Sequence, residues 1–238
     1  MRRYIYLLVL FPAIFTRPDL YGIGPDNPEH VGVNINEQDT LKGNQILYNG
    51  RLWRNLYFMI KEDQFLYSNE FLTGSVTIDG NSFRDIKIKY DIYNDEIITP
   101  ATHGSILQLN KELVDSFNIV FQNKTYYFTR IPTDSLKGIK GYVNVLYEGK
   151  NSLYVKYKKE IQLLAVESKY DMFYQTYRIY FVKNGIVHTL NSKGDLLKIL
   201  DKDKVQVRDF IKKNRLRISK KRPESFIPVI AYYDSISK

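Results

Sequence analysis

Three acids lie close together at Asp91, Asp95 and Glu96. Glycoside hydrolysis uses two carboxylates about 5–10 Å apart across a cleft, one to protonate the leaving group and one to attack or to activate water. Asp91 on a strand and Asp95 in the turn after it can meet that distance. The expectation is instead of solvated acids at a turn, on the strand face that carries Lys87 and Lys89, and no catalytic residue is assigned. The D-x-[DN]-x-[DN]-G spacing of a calcium loop is missing. The three histidines, His30, His103 and His188, are far apart and none sits in an H-x-x-x-H arrangement, so structural or surface roles are expected of them. His103-Gly104-Ser105 lacks the flanking glycines of a nucleophile elbow. The chain has no cysteine, which excludes disulfides, thiol catalysis, zinc-thiolate sites and lipid attachment through Cys. Neither a P-loop nor a dinucleotide fingerprint occurs, so neither nucleotide nor any other cofactor is expected.

The cations are a different matter. Residues 1–130 hold 13 Lys and Arg against 15 Asp and Glu, whereas residues 131–238 hold 22 against 11. Between Lys204 and Arg222 there are nine cations, opposed only by Asp209. Val207, Phe210 and Ile211 recur at i, i+3 and i+4, so this stretch reads as a helix with its apolar stripe docked on the body. Docking pushes Arg208, Lys212 and Lys213 outward, and Arg215 and Arg217 follow beside them. Arg217 stands between Leu216 and Ile218 and alternates away from the core if that segment is extended. Such a patch is a solvated helix face or a contact for anionic headgroups and phosphates, where each Lys or Arg adds roughly 1 kcal/mol. Three short helices with a basic middle one also fit a helix-turn-helix. Export, argued next, speaks against nucleic acid. The expected partner is an anionic membrane surface or an envelope protein.

The elements that position these residues read in order. Arg2 and Arg3 precede an apolar run, Leu7 to Phe15, which is too short to span a bilayer and suits a signal peptide over residues 1–16, although no A-x-A site follows. The protein is therefore expected to be exported, periplasmic or outer-membrane associated. Residues 17–44 are an irregular leader rich in Gly and Pro. Residues 45–190 carry repeated hairpin signals, centred on Gly74–Thr99: Asp79-Gly80 is a tight turn, and Ile86, Ile88, Tyr90 and Ile92 then share one face. Asn49-Gly50 and Asn184-Gly185 are further turn signals. Leu52 to Ile60 reads as strand from its aromatic content, and Val166 to Gln175 as a loose connection. The 20 tyrosines suit half-exposed pleated surfaces. From residue 191 the period changes from 2 to 3.6, with Ser192, Asp203 and Ser225 as helix caps. The fold class is α+β, mostly β: an antiparallel sheet, curled towards a barrel or sandwich, followed by short C-terminal helices over residues 191–238 packed on it.

Several short motifs occur in a fixed order: Tyr48-Asn49-Gly50, Gly74-Ser75-Val76, Lys89-Tyr90-Asp91-Ile92, Leu146-Tyr147-Glu148-Gly149-Lys150, Ser192-Lys193 with Leu196-Leu197, and Tyr232-Tyr233. In this the chain resembles a group of uncharacterised exported proteins of Bacteroidota-type bacteria, over about residues 44–236. The resemblance implies an envelope location and brings no catalytic residues. The expected function is a non-catalytic binding or structural module. The alternative is a glycan- or envelope-directed hydrolase with dispersed carboxylates.

Overall fold

Asp79 and Gly80 both take positive φ, +48° and +75°, as do Asn184 and Gly185 at +51° and +74°. These are the values a two-residue turn needs to match the twist of its strands. The computed structural model describes residues 45–101, 104–133 and 135–237; the expected signal peptide and leader, with His30 and His103, lie outside the described residues. Eleven strands form one antiparallel sheet: β1 (Gly50–Leu52), β2 (Leu72–Ile78), β3 (Asn81–Asp91), β4 (Glu96–Pro100), β5 (Ile106–Leu109), β6 (Val114–Phe121), β7 (Lys124–Ile131), β8 (Gly141–Glu148), β9 (Ser152–Val166), β10 (Tyr170–Lys183) and β11 (Ile186–Leu190). Their order across the sheet is β1-β5-β4-β3-β2-β6-β7-β8-β9-β10-β11. Three helices follow: α1 (Lys193–Ile199), α2 (Lys204–Lys213) and α3 (Ile227–Ile236).

The sheet is strongly curled. From β3 to β8 is four strand spacings, about 19 Å in a flat sheet, where side chains stand perpendicular and could not meet. Yet the rings of Tyr90 on β3 and Tyr142 on β8 lie 5.9 Å apart, edge to face, with Phe117 and Phe128 between them. On the concave side these rings join Val76, Ile78, Ile88, Ile97 and Leu109 in one core. The Lys159 N–H donates to the Ile92 carbonyl at 3.3 Å, so β9 touches the end of β3. The edge strands β1 and β11 stay apart, and the roll is open. A second core lies between β9, β10 and β11 and the helices, built from Leu153, Val155, Ile179 and Phe181 against Leu196, Val207, Phe226 and Ile230. The opposite face of the same strands packs Tyr154, Tyr180 and Val182 on Ile131 and Ile139.

Local structure departs from the sequence reading in five places. Asn49-Gly50 is not a hairpin turn: residues 45–47 are helical, and Gly50 opens β1, which pairs with β5. A Cβ on Gly50 would meet the Gln108 carbonyl oxygen at 2.3 Å, so glycine serves close backbone approach there. Residues 53–60 form no strand; Tyr57 packs edge-on against Tyr93 and Phe173 and Trp53 lies against Phe65, while Phe58 is exposed. Residues 166–175 are no loose connection but the end of the long β9–β10 hairpin, where Leu163, Leu164 and Ala165 bulge opposite Asp171 alone. Ser192 does cap α1, accepting from the Asp195 N–H at 3.2 Å. Asp203 makes no such bond, and Ser225 lies inside the 3-10 turn before α3, its hydroxyl bonded to the Arg222 and Ser219 carbonyls.

Candidate functional site

The β3–β4 turn carries Asp95 at φ +62°, a backbone region that Asp tolerates better than most residues. The curl of the sheet then brings four groups to its carboxylate. Tyr90 Oη donates to Oδ1 at 2.6 Å, and Lys156 Nζ from β9 donates to the same oxygen at 2.6 Å. Lys111 Nζ donates to Oδ2 at 2.8 Å. Gly141, at φ +74°, closes over this oxygen, and a Cβ there would lie 1.9 Å from it, so no larger residue fits without moving the ion pair. Burial pushes the Asp95 carboxyl up, but the Lys156 charge and the bonds from Lys111, Lys156 and Tyr90 outweigh it, and the group sits below its ordinary value. Burial draws the Lys156 ammonium down, and Asp95 restores only part of that. Burial, with the Asp95 charge and hydrogen bond, pushes the Tyr90 hydroxyl well up. The network borders a cavity of about 550 Å³, lined also by Thr133, Lys140, Lys158 and Tyr180.

The three acids of the sequence reading do not form a pair across a cleft. Asp91 is not solvated: it is fully buried and accepts from the Tyr93 and Asn94 N–H groups and from Asn94 Nδ2, each at 2.9 Å, which fixes the turn. Burial raises its carboxyl, with the three bonds opposing. Glu96 pairs with Arg51 at 3.2 Å. Asp95, held ionised by two ammoniums, is a poor proton donor. His188 is half-buried on β11, and among the described residues no group of three His, Cys, Asp or Glu is placed to hold a metal.

The C-terminal cations stand as their spacing predicts. Val207 and Ile211 of α2 are buried in the second core, and Phe210 stacks on Tyr232 with ring centroids 4.0 Å apart. Arg208, Lys212, Lys213, Arg215 and Arg217 are all exposed. None of the five makes an ion pair or a side-chain hydrogen bond among the described residues. Leu216 and Ile218 turn inward around Arg217. Helix α2 ends in a Schellman motif: Leu216 N–H donates to the Ile211 carbonyl at 3.0 Å and Arg215 N–H to that of Lys212 at 3.1 Å. Arg215 takes φ +51° in this motif, a position that favours glycine. Arg215→Gly is therefore expected to stabilise the protein by about 1 kcal/mol, the cost of left-handed backbone. A urea midpoint that rises checks this, and one that falls means the arginine side chain makes a needed contact.

Fold and site together define a class: an open, curled antiparallel sheet with an ion-pair-lined cavity and a basic C-terminal helical segment. No protein-family model, curated protein or solved structure matches this chain. Sequence spacing located the basic face, but it missed Lys111 and Lys156. The one signal for Lys156 is its place two residues after Tyr154, on the strand face that Tyr154 packs into the third core.

Proposed function

We propose that this is an exported, non-catalytic envelope protein, periplasmic or outer-membrane associated, that binds an anionic surface through α2 and the segment after it. The observation that carries this reading is the row of exposed, unpaired cations: Arg208, Lys212 and Lys213 on a helix whose other face is buried, and Arg215 and Arg217 in the segment after it. Anionic headgroups are held there by charge, without a fixed pocket, and the contact weakens with salt. No helix among the described residues is long and apolar enough to cross a membrane. What supports the envelope location is the resemblance read from the order of the short motifs, and Arg2 and Arg3 ahead of the apolar run Leu7 to Phe15.

Reversing Arg208, Lys212 and Lys213 to Glu leaves the thermal midpoint within a few degrees, because all three side chains are exposed. It lowers retention on anionic vesicles at low salt by at least about 100-fold, since three charges at roughly 1 kcal/mol each are lost and repulsion is added. Equal retention of wild type and triple variant, or no retention of the wild type, overturns the surface reading. Full-length protein with Met1 retained in the cytoplasm of its host overturns export.

A further inference from the structure

A lysine ammonium carries three N–H donors. Lys156 uses two of them, on Asp95 Oδ1 and on the Tyr142 carbonyl at 2.8 Å, and has one to spare. Lys111 uses one, on Asp95 Oδ2, and has two to spare. One carboxylate thus neutralises one of two ammoniums, and the pair keeps a net positive charge with three unused donors. Both lysines line the same cavity of about 550 Å³, within the size range of small-molecule sites. Glu112, the other acid on its wall among the described residues, lies 3.7 Å from Arg130. Tyr180, largely buried, also lines it, and its hydroxyl makes no hydrogen bond among the described residues.

We infer that this cavity is a binding site for a small anion, a carboxylate or phosphate group, received by Lys111, Lys156 and the Tyr180 hydroxyl. The site is preorganised. Asp95 clamps both ammoniums in place before any ligand arrives, so little side-chain entropy is lost on binding. It also explains why a partly buried second lysine is present at all: one ammonium would have satisfied Asp95, and the second leaves the surplus charge that attracts an anion. No residue of α2 lines the cavity, so the inference is independent of the basic face.

The test is calorimetric titration of the full chain with inorganic phosphate and, separately, with acetate, followed by sedimentation with vesicles containing phosphatidic acid. Saturable one-to-one binding of a free anion is expected. Lys111→Met removes two of the three free donors and leaves the Lys156–Asp95 pair; it should weaken binding about tenfold or more, as for hydrogen bonds to charged groups. Tyr180→Phe keeps the buried ring and should weaken binding severalfold, so it serves if Lys111→Met folds poorly. The triple reversal on α2 should leave anion binding unchanged. If free anions bind and Lys111→Met also reduces sedimentation, the site takes headgroup phosphate as well; if sedimentation is unmoved, it takes the free anion alone. No saturable binding of either anion, or equal binding by wild type and both cavity variants, overturns the inference.

Discussion

Asp95→Ala is expected to lower the unfolding free energy by about 3 kcal/mol, within the range for breaking one side of a buried ion pair. The carboxylate is the common acceptor of Tyr90, Lys156 and Lys111. Without it two neighbouring ammoniums repel each other, and the Tyr90 hydroxyl keeps only a 3.5 Å approach to the Tyr142 carbonyl. Its side chain is 19% exposed, which places the loss at the lower end of that range. The same group sets an acid limit on stability. Its folded-state pKa is depressed, so the unfolded chain binds more protons as pH falls. The contribution is fully present above about pH 4, the ordinary value for Asp, and is lost as pH falls through the lower folded value. Urea unfolding midpoints from neutral to acid pH check both points. A loss under about 1 kcal/mol, or an acid limb that Asp95→Asn leaves unaltered, means that water reaches the ammoniums and screens them.

Asp234→Ala should be nearly as costly, for a different reason. Asp234 sits on α3, 8% exposed, and its carboxylate accepts from the Asn151 N–H at 3.1 Å, from Tyr147 Oη at 3.0 Å and from Asn151 Nδ2. It fastens the last helix to the β8–β9 turn, which passes so close that a Cβ on Gly149 would meet its Oδ2 at 2.5 Å. Alanine leaves the buried donors of Asn151 without partners, and orphaned donors cost about 1–3 kcal/mol each. A total near 3 kcal/mol is expected. The loss should be local before it is global: amide exchange over Ile227–Ile236 should speed up more than exchange in β2, β3 or β6. Asp234→Asn, which keeps one acceptor oxygen, should recover about half. Uniform acceleration across the sheet would show that α3 does not open on its own.

Much of the fold was legible because its signals are local. Asp79-Gly80 and Asn184-Gly185 are turns by backbone permissiveness alone. Ile88, Tyr90 and Ile92 are buried as period two requires, and Ser192 caps α1 from three residues away. The basic face followed in the same way, from the i, i+3, i+4 spacing of Val207, Phe210 and Ile211. Where the sequence reading failed, the deciding partner was remote. Residues 53–60 have strand composition, but Tyr57 packs on Tyr93 and Phe173, and Trp53 on Phe65. Leu163 to Ala165 break the alternation of β9, and this hid a hairpin that pairing with β10 makes plain.

By itself, the sequence determined the Asp79-Gly80 and Asn184-Gly185 turns, the helix faces, the antiparallel β-rich class and the outward row of Arg208, Lys212, Lys213, Arg215 and Arg217. Each follows from residues within a few positions of one another, whose geometry the backbone period dictates. Only the tertiary structure decided that Asp91 is buried while Asp95 gathers Lys111 and Lys156, 16 and 61 residues away. Those contacts depend on the twist accumulated from strand to strand, which rolls β9 back onto the end of β3. No spacing along the chain encodes that sum.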